Sequence, residues 1–124
     1  MQDIVRAMLR FEGKTVYLCC GHTDMRKSIN GLTALVAGSF ALDPFAGAIF
    51  VFCNRNRDRI KILEWDSDGF WLYFKRLEKG RFRWPGEGES RTMTFSDEEL
   101  HLLLGSPRIV QKLKRQEVKT GSVI

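Results

Sequence analysis

The chain is poor in the residues that metal sites and disulfide bonds require. Its 124 residues include only three cysteines and two histidines. Cys19 and Cys20 are adjacent and do not form the Cys-x-x-Cys pair that structural zinc sites use. An odd number of cysteines without an evident secretion signal indicates free thiols and not a disulfide framework. The sequence therefore predicts no resident metal and no cofactor.

Long hydrophobic runs are also missing. Runs such as AGAIFVFC and GFWLYF are far too short to cross a bilayer. The N-terminal stretch MQDIVRAMLRFEG carries acidic residues and no apolar signal-peptide core. We therefore expect a cytoplasmic protein without membrane contact. A composition of 44% hydrophobic and 28% charged residues is typical of a globular domain, and the net charge of +5 suits an anionic partner such as nucleic acid.

The hydrophobic pattern predicts an α+β fold. Residues 1–13 have the spacing of a short helix, KTVYLCC has the character of a strand, and residues 25–40 predict a second helix with Thr23 or Asp24 as N-cap. Four strand-like runs follow, AIFVFC, RIKILEW, FWLYFKRL and RFRW, separated by short turn sequences. Short turns join antiparallel neighbours. We therefore expect an antiparallel meander of four to five strands with helices packed on one face.

The C-terminal part of the chain predicts a helix and then a tail. In SDEELHLLLG, Ser96 and Glu99 have the spacing of a capping box, and Gly105 would end the helix. Residues 106–124 carry five basic residues against one acid, which predicts a weakly ordered basic segment. The expected organisation is one α+β domain over residues 1–105, followed by this tail.

Two motifs have a catalytic and a structural interpretation. Cys20 and His22 could pair as nucleophile and base, but no third group is evident, and a histidine in a surface turn explains the same pattern. Asp66 and Asp68 in WDSDG could hold magnesium as in a nuclease, yet Asp-x-Asp-Gly is also a good hairpin turn. We favour the structural interpretation of both motifs and expect no enzymatic activity. A small metal-dependent nuclease is the less favoured alternative.

Basic and aromatic residues concentrate between positions 55 and 83, where nine basic residues stand against five acids. The first four basic residues recur at every second position, which would place them on one face of an extended segment. Trp71 and Tyr73 would form a platform for stacked bases unless a second layer covers them. We predict a nucleic-acid or partner surface from ten residues of this region: Arg55, Arg57, Arg59, Lys61, Trp71, Tyr73, Lys75, Arg76, Arg81 and Arg83.

Arg26 and Lys27 complete the predicted surface. They would lie in the first turn of the helix over residues 25–40, where cations oppose the helix dipole at a cost of a few tenths of a kcal/mol. Together with the free N–H groups of that turn they would suit a phosphate or an acidic partner. Solvated cations, or an ion pair with Glu64 or Asp66, explain them equally well.

Three blocks of the sequence carry a family resemblance: GHTDMRKSINGL, the long stretch from DPFAG to GRFRWP, and SDEELHLLLG. In this order they resemble the accessory TnpB proteins of the bacterial insertion-sequence sixty-six (IS66) family, which are encoded beside a transposase gene. The resemblance runs from about Thr15 to Gly105, with Ser28 in a position where the family is expected to have glycine. It implies a role in transposition next to a separate transposase, and it brings no catalytic residues with it.

Two functions are consistent with these patterns. The first is a non-catalytic accessory factor for transposition that binds the DNA ends of the element, or the transposase–DNA complex, through the basic and aromatic hairpin. The second is an interaction module that docks the transposase without contacting DNA. The patterns leave the oligomeric state open.

Overall fold

The structure is a computed structural model that describes residues 13–88 and 90–105. Its strands are β1 (Val16–Cys19), β2 (Ile49–Cys53), β3 (Arg59–Asp66), β4 (Gly69–Arg76) and β5 (Thr92–Phe95), and its helices are α1 (Ile29–Gly38) and α2 (Asp97–Gly105). The expected N-terminal helix and the basic tail lie outside the described residues. The domain boundaries drawn from them therefore stay predictions.

The five strands form one mixed sheet in the order β4-β3-β2-β1-β5. Strand β1 pairs with β2 in parallel, and the other three pairs are antiparallel. The predicted α+β class is confirmed, but the antiparallel meander is wrong for the first two strands. The reason is that helix α1 lies between them and returns the chain to the same end of the sheet, so β2 runs in the direction of β1.

The strand predicted for RFRW is absent from the described structure, and β5 forms at Thr92–Phe95 instead. Phe82 and Trp84 alternate with cations, which is the sequence pattern of a strand. Both side chains are buried, but they belong to an irregular segment. The Phe82 N–H donates to the Arg57 carbonyl at 2.6 Å, and the Trp84 indole N–H donates to the Cys19 carbonyl at 3.0 Å. These bonds hold the segment against the end of the sheet without adding a strand.

Helix α1 begins later than the sequence predicts. Its N-cap is Ser28, which makes no side-chain capping bond, so Thr23 or Asp24 as the N-cap is wrong. The Lys27 N–H donates to the Asp24 carbonyl at 3.1 Å, and the Arg26 N–H donates to the Asp24 carboxylate at 2.9 Å. An aspartate that binds the backbone two residues ahead favours a turn over a helix. Residues 24–27 therefore form a separate turn before the helix.

The core has two clusters, one on each face of the sheet. Strand residues alternate between them, so Val51 belongs to the first cluster while Phe50 and Phe52 belong to the second. The first cluster includes Leu100 and Leu103 of α2, and the second includes Leu32 and Val36 of α1. We call these two sides the α2 face and the α1 face. The helices thus contribute to two separate clusters and not to one shared layer.

Helix α2 begins as the sequence predicts. The Glu99 N–H donates to the Ser96 hydroxyl, and the Ser96 N–H donates to the Glu99 carboxylate, each at 3.0 Å. This reciprocal pair is the predicted capping box and satisfies two N–H groups at the start of the helix. Over the described ranges, no helix combines the length and the apolar character that a membrane crossing needs.

Candidate nucleic-acid interface

The β3–β4 hairpin carries most of the predicted surface and divides it between the two faces. Arg59 lies opposite Arg76, and Lys61 lies opposite Phe74. These four side chains belong to the α1 face, because they alternate with residues of the first core cluster. By the same alternation Trp71, Tyr73 and Lys75 belong to the α2 face. The single basic and aromatic surface that the sequence predicts is therefore two surfaces of different chemistry.

An open hollow of about 620 Å³ lies on the α1 face. It is lined by one carboxylate, three cations, a methionine and a phenylalanine: Asp24, Met25, Arg26, Arg59, Lys61 and Phe74. Arg76 adjoins the hollow, because it lies directly opposite Arg59 on the neighbouring strand. We call these seven residues the cationic hollow. Its aromatic residue is Phe74, which is 56% exposed.

Lys61 fastens the turn at residues 24–27 to the hairpin. Its ammonium group donates to the Met25 carbonyl at 2.9 Å and to the Lys27 carbonyl at 2.8 Å. Helix α1 starts only at Ile29, so the residues that contact Lys61 of β3 belong to this turn and not to the longer helix that the sequence predicts. Gly31 leaves room for the turn, since a Cβ atom there would lie 3.2 Å from the Cβ of Lys27.

Arg26 is held in the turn but remains exposed to solvent. Its guanidinium group donates to the Asp24 carboxylate at 2.7 Å, and 91% of its side chain is accessible. Hydrogen bonds from Arg26 lower the pKa of Asp24 from 3.8 to about 2. The expected position of Arg26 and Lys27 in the first helical turn is wrong, because both residues precede the N-cap Ser28. Arg26 therefore lines the hollow from a turn and not from the first turn of the helix.

The pairing of Arg59 with Arg76 is unfavourable on its own. Like charges directly opposite each other on neighbouring strands destabilise a sheet. Arg59 lies 3.9 Å from Asp58, and Arg76 lies 2.7 Å from Glu78. Both ion pairs are accessible to water and therefore weak. The hollow keeps a positive potential at a position where stability alone would not place two arginines.

The α2 face of the hairpin surrounds its rings with acids. Trp71 and Tyr73 stack with ring centroids 6.3 Å apart. The Trp71 indole N–H donates to Asp66 at 3.0 Å, and the Tyr73 hydroxyl donates to Glu64 at 2.9 Å. Burial and the bond to Glu64 raise the pKa of Tyr73. We call Trp71 and Tyr73 the aromatic platform, and its polar neighbours are carboxylates and not the expected cations.

Lys75 shares the α2 face with the aromatic platform. Its ammonium group donates to the Leu104 carbonyl near the end of helix α2. A lysine that binds a backbone carbonyl of the last helical turn also complements the negative end of the helix dipole. Lys75 therefore has a structural contact that accounts for its position.

The remaining predicted arginines lie in loops. Strand β3 begins at Arg59, so the expectation that Arg55 and Arg57 share its face is wrong. Arg57 has a φ of 60°, in a turn where Asn54 accepts the N–H groups of residues 58 and 59 at 3.0 Å. Arg55 lies 3.2 Å from the His22 ring. Arg81 and Arg83 are exposed on the irregular segment after β4. These four cations lie apart from the strand residues of the hollow, and their part in the binding surface stays a prediction.

The WDSDG motif and the cysteines, which allowed a catalytic interpretation, have structural roles in the described chain. Ser67 and Asp68 form the two-residue loop between Asp66 and Gly69, with Ser67 at a φ of 54°, which confirms the hairpin turn. The three cysteines are buried thiols, and burial raises the pKa of Cys53 to about 12. In the parts of the chain that the structure describes, no group of three or more His, Cys, Asp or Glu side chains is placed to hold a metal ion.

Sequence reasoning missed an aromatic cluster at the other end of the α1 face. Phe45 is 56% exposed, and its ring centroid lies 5.0 Å from that of Trp65 and 5.3 Å from that of Phe70. The Phe45 N–H donates to the Asp43 carboxylate at 2.9 Å, which fixes the DPF turn. An aspartate two residues before an aromatic residue was the available signal. We call these three rings the DPF cluster.

Comparisons with known proteins cover the whole described fold. A family model described as IS66 Orf2 like protein matches residues 14–114. The uncharacterized protein y4jC of Sinorhizobium fredii is 35% identical over 107 residues, which is 86% of this chain and 90% of that protein. The uncharacterized protein y4hO of the same organism is 37% identical over 89 residues, which is 72% of this chain and 76% of that protein. No solved structure matches the chain.

Proposed function

Since the chain belongs to the family of IS66 Orf2-like proteins, which is associated with insertion-sequence transposition, we propose that it is a non-catalytic accessory factor that binds DNA through the cationic hollow. Its proposed partner is the transposase of the same element, which carries the strand-transfer chemistry. In this proposal the protein contacts the DNA ends of the element, alone or together with the transposase.

The observation that supports DNA binding most is the pair Arg59 and Arg76 on adjacent strands. Two opposed guanidinium groups weaken the sheet, and an anion placed between them would relieve that repulsion. Guanidinium groups form bidentate hydrogen bonds with phosphate oxygens. Arg26 supplies a third guanidinium group from the turn above the hollow. Three such groups around one open surface match the phosphates of a nucleic-acid backbone.

The hollow is open, so the proposed contacts are with the backbone and not with base edges. Phosphate contacts release counterions and make affinity depend steeply on salt, without distinguishing one sequence from another. We therefore expect binding that weakens as salt rises and that differs little between the terminal sequence of the element and random DNA. Selection of the element ends would then rest with the transposase.

The test is a salt titration of DNA binding with two charge-matched double variants. Arg59→Ala with Arg76→Ala removes two cations from the hollow, and Arg81→Ala with Arg83→Ala removes two from the loop. Each lost phosphate contact lowers the slope of log K against log salt by about 0.9. We expect the hollow variant to lose about two units of slope and roughly 10- to 100-fold in affinity, while the loop variant loses less. Absence of wild-type binding at low salt, or equal losses in both variants, would contradict the proposal.

A second function, docking of the transposase without DNA contact, is favoured by the DPF cluster. Phe45 is half-exposed, Pro44 before it is buried, and the turn is held by Asp43. A rigid exposed aromatic ring is the kind of residue that anchors protein interfaces. We expect Phe45→Ala to abolish co-purification with the transposase in nuclease and high salt while leaving DNA affinity unchanged. Full retention of the transposase by this variant would rule out docking through the cluster.

A further inference from the structure

Phe74 is the last apolar residue of β4 on the α1 face, and it lies beyond the part of the strand that packs against the core cluster of helix α1. Phe70 and Leu72 precede it on the α1 face, and both are partly buried against the cluster that includes helix α1. Phe74 is the next residue on that face, yet it is 56% exposed. Burial would contribute a favourable hydrophobic free energy that this position forgoes. Stability therefore does not explain an aromatic residue here.

The surroundings of the Phe74 ring are cationic. Lys61 lies directly opposite it, and Arg59 and Arg26 line the same hollow. The hydrogen bonds of Lys61 to the turn carbonyls keep the wall of the hollow in place. Sheet surfaces that bind single-stranded nucleic acids have this combination, because the ring stacks on a base while the cations hold the adjacent phosphates.

We infer that the cationic hollow binds unpaired nucleotides, with Phe74 stacking on one base while Arg59, Arg76 and Arg26 hold the neighbouring phosphates. A base inside a duplex is already stacked on both sides and does not reach a ring on a sheet. The hollow therefore prefers single-stranded DNA to duplex DNA. This inference rests on the proposed function, since it names the form of DNA that the same surface takes.

The other exposed rings suit this role less well. The aromatic platform hydrogen-bonds to Asp66 and Glu64, so a phosphate beside it would meet carboxylates. Phe45 packs against Trp65 and Phe70, with Asp43 in its turn. Among the large exposed hydrophobic residues of the described chain, which are Phe45, Trp71 and Phe74, the ring of Phe74 is the one that lines a cationic hollow.

The test compares a fluorescent oligothymidine with a duplex of equal phosphate number, titrated against wild type, Phe74→Leu and Phe74→Trp. We expect wild type to prefer the single strand. Phe74→Leu keeps an apolar side chain but cannot stack, so its affinity for the single strand falls roughly 5- to 100-fold and its preference for the single strand over the duplex is lost. Phe74→Trp retains the preference, and its introduced indole is quenched when oligothymidine binds.

The outcomes separate this inference from the function on which it rests. If wild type binds duplex and single strand equally and Phe74→Leu changes neither, the inference is wrong and DNA binding stands. If neither nucleic acid binds at low salt, both are wrong. If polyglutamate binds in place of either nucleic acid, the hollow is a site for an acidic protein segment, which overturns both proposals. Phe74→Leu should have the melting temperature of wild type, which shows that a loss of affinity comes from the missing ring and not from unfolding.

Discussion

The two faces of the β3–β4 hairpin hold aromatic rings in opposite electrical surroundings. On the α1 face, Phe74 is exposed among Arg59, Lys61 and Arg26. On the α2 face, the two rings of the aromatic platform donate hydrogen bonds to carboxylates. Apart from Arg26, which comes from the turn at residues 24–27, both sets of residues come from the same two strands, and alternation along each strand sends neighbours to opposite sides.

The difference shows how one stretch of sequence supplies two kinds of surface. The polar atoms of the platform are paired within the hairpin, which makes that face a structural one. The arginines of the hollow pair with water-accessible acids, so their charge is available to a ligand. Four substitutions test this contrast, and their expected effects decrease in the order given.

Glu64→Ala should produce the largest loss of stability. Glu64 is 6% exposed, accepts from the Tyr73 hydroxyl, and pairs with the Lys14 ammonium group at 2.5 Å. Its removal takes one acceptor from the Tyr73 hydroxyl and the acidic partner from Lys14, which should lower the free energy of unfolding by about 2–3 kcal/mol. Urea denaturation measures this loss. DNA affinity should not fall, because the α2 face is not the proposed ligand surface.

Glu64→Gln is the matched control for this loss. It keeps an acceptor for the Tyr73 hydroxyl and removes only the charge that pairs with Lys14, so it should cost less than Glu64→Ala. If Glu64→Ala were as stable as wild type, the acid would not support the platform. If it weakened DNA binding more than Arg59→Ala does, the division between the two faces would be wrong.

Lys61→Met should cost about 1–2 kcal/mol, because two hydrogen bonds from a charged donor to the partly exposed turn are lost. Lys75→Met is its control, with the same change of charge on the same hairpin and the loss of a bond to the Leu104 carbonyl. Both variants should unfold at lower urea concentration. In DNA titrations, Lys61→Met should lose more affinity than Lys75→Met, because it also releases the turn that carries Arg26.

Equal losses of DNA affinity in the two lysine variants would show that only the total charge matters. The contrast between the faces would then have no functional meaning. A normal DNA affinity in Lys61→Met would show that the turn is not part of the binding surface.

Local chemistry made several parts of the fold predictable. The capping box of Ser96 and Glu99 and the WDSDG turn depend on residues a few positions apart, and the structure confirms both. The parallel pairing of β1 with β2 depends on how helix α1 returns the chain, which turn lengths do not reveal. The start of α1 was missed because an aspartate such as Asp24 is typical of both a helix cap and a turn. Lys61, which fastens the turn to the hairpin, is 34 residues away from Lys27 in the chain.

The candidate site was predictable in composition but not in arrangement. Alternation predicts which side chains share a face only when the first residue of the strand is known. The NRNRD turn takes Arg55 and Arg57 out of β3, which begins at Arg59. The exposure of Phe74 was not predictable, because nothing in its own sequence neighbourhood shows that helix α1 leaves the end of β4 uncovered. A ring at the end of an apolar row, next to Arg76, is the signal that could have marked it.

Asp24→Asn tests how much charge the hollow already neutralises. The folded pKa of Asp24, about 2, is below its ordinary value of 3.8. A lowered carboxyl pKa stabilises the fold above the ordinary value, and this contribution disappears as pH falls from about 4 to about 2. The melting temperature of Asp24→Asn should therefore be slightly below wild type at pH 7, and the difference should vanish near pH 2.

DNA affinity should move in the opposite direction in this variant. Loss of the Asp24 charge releases the Arg26 guanidinium group, and an exposed pair of this kind accounts for a change of roughly two- to fivefold. The titration should show tighter binding by Asp24→Asn at low salt and a smaller gain at high salt. Weaker binding would mean that Asp24 acts chiefly to hold Arg26 in its binding position.

Trp71→Phe should have the smallest effect and distinguishes the rings of the two faces. The substitution removes the indole bond to Asp66 but keeps a ring that stacks on Tyr73. Because Trp71 is 49% exposed and Asp66 is also exposed, the free energy of unfolding should change by less than about 1 kcal/mol. Its affinity for oligothymidine should equal that of wild type, whereas Phe74→Leu loses affinity. If Trp71→Phe and Trp71→Ala reduced single-strand binding as strongly as Phe74→Leu, the bases would stack on the acid-lined platform, and the assignment of the ligand to the cationic hollow would have to be reversed.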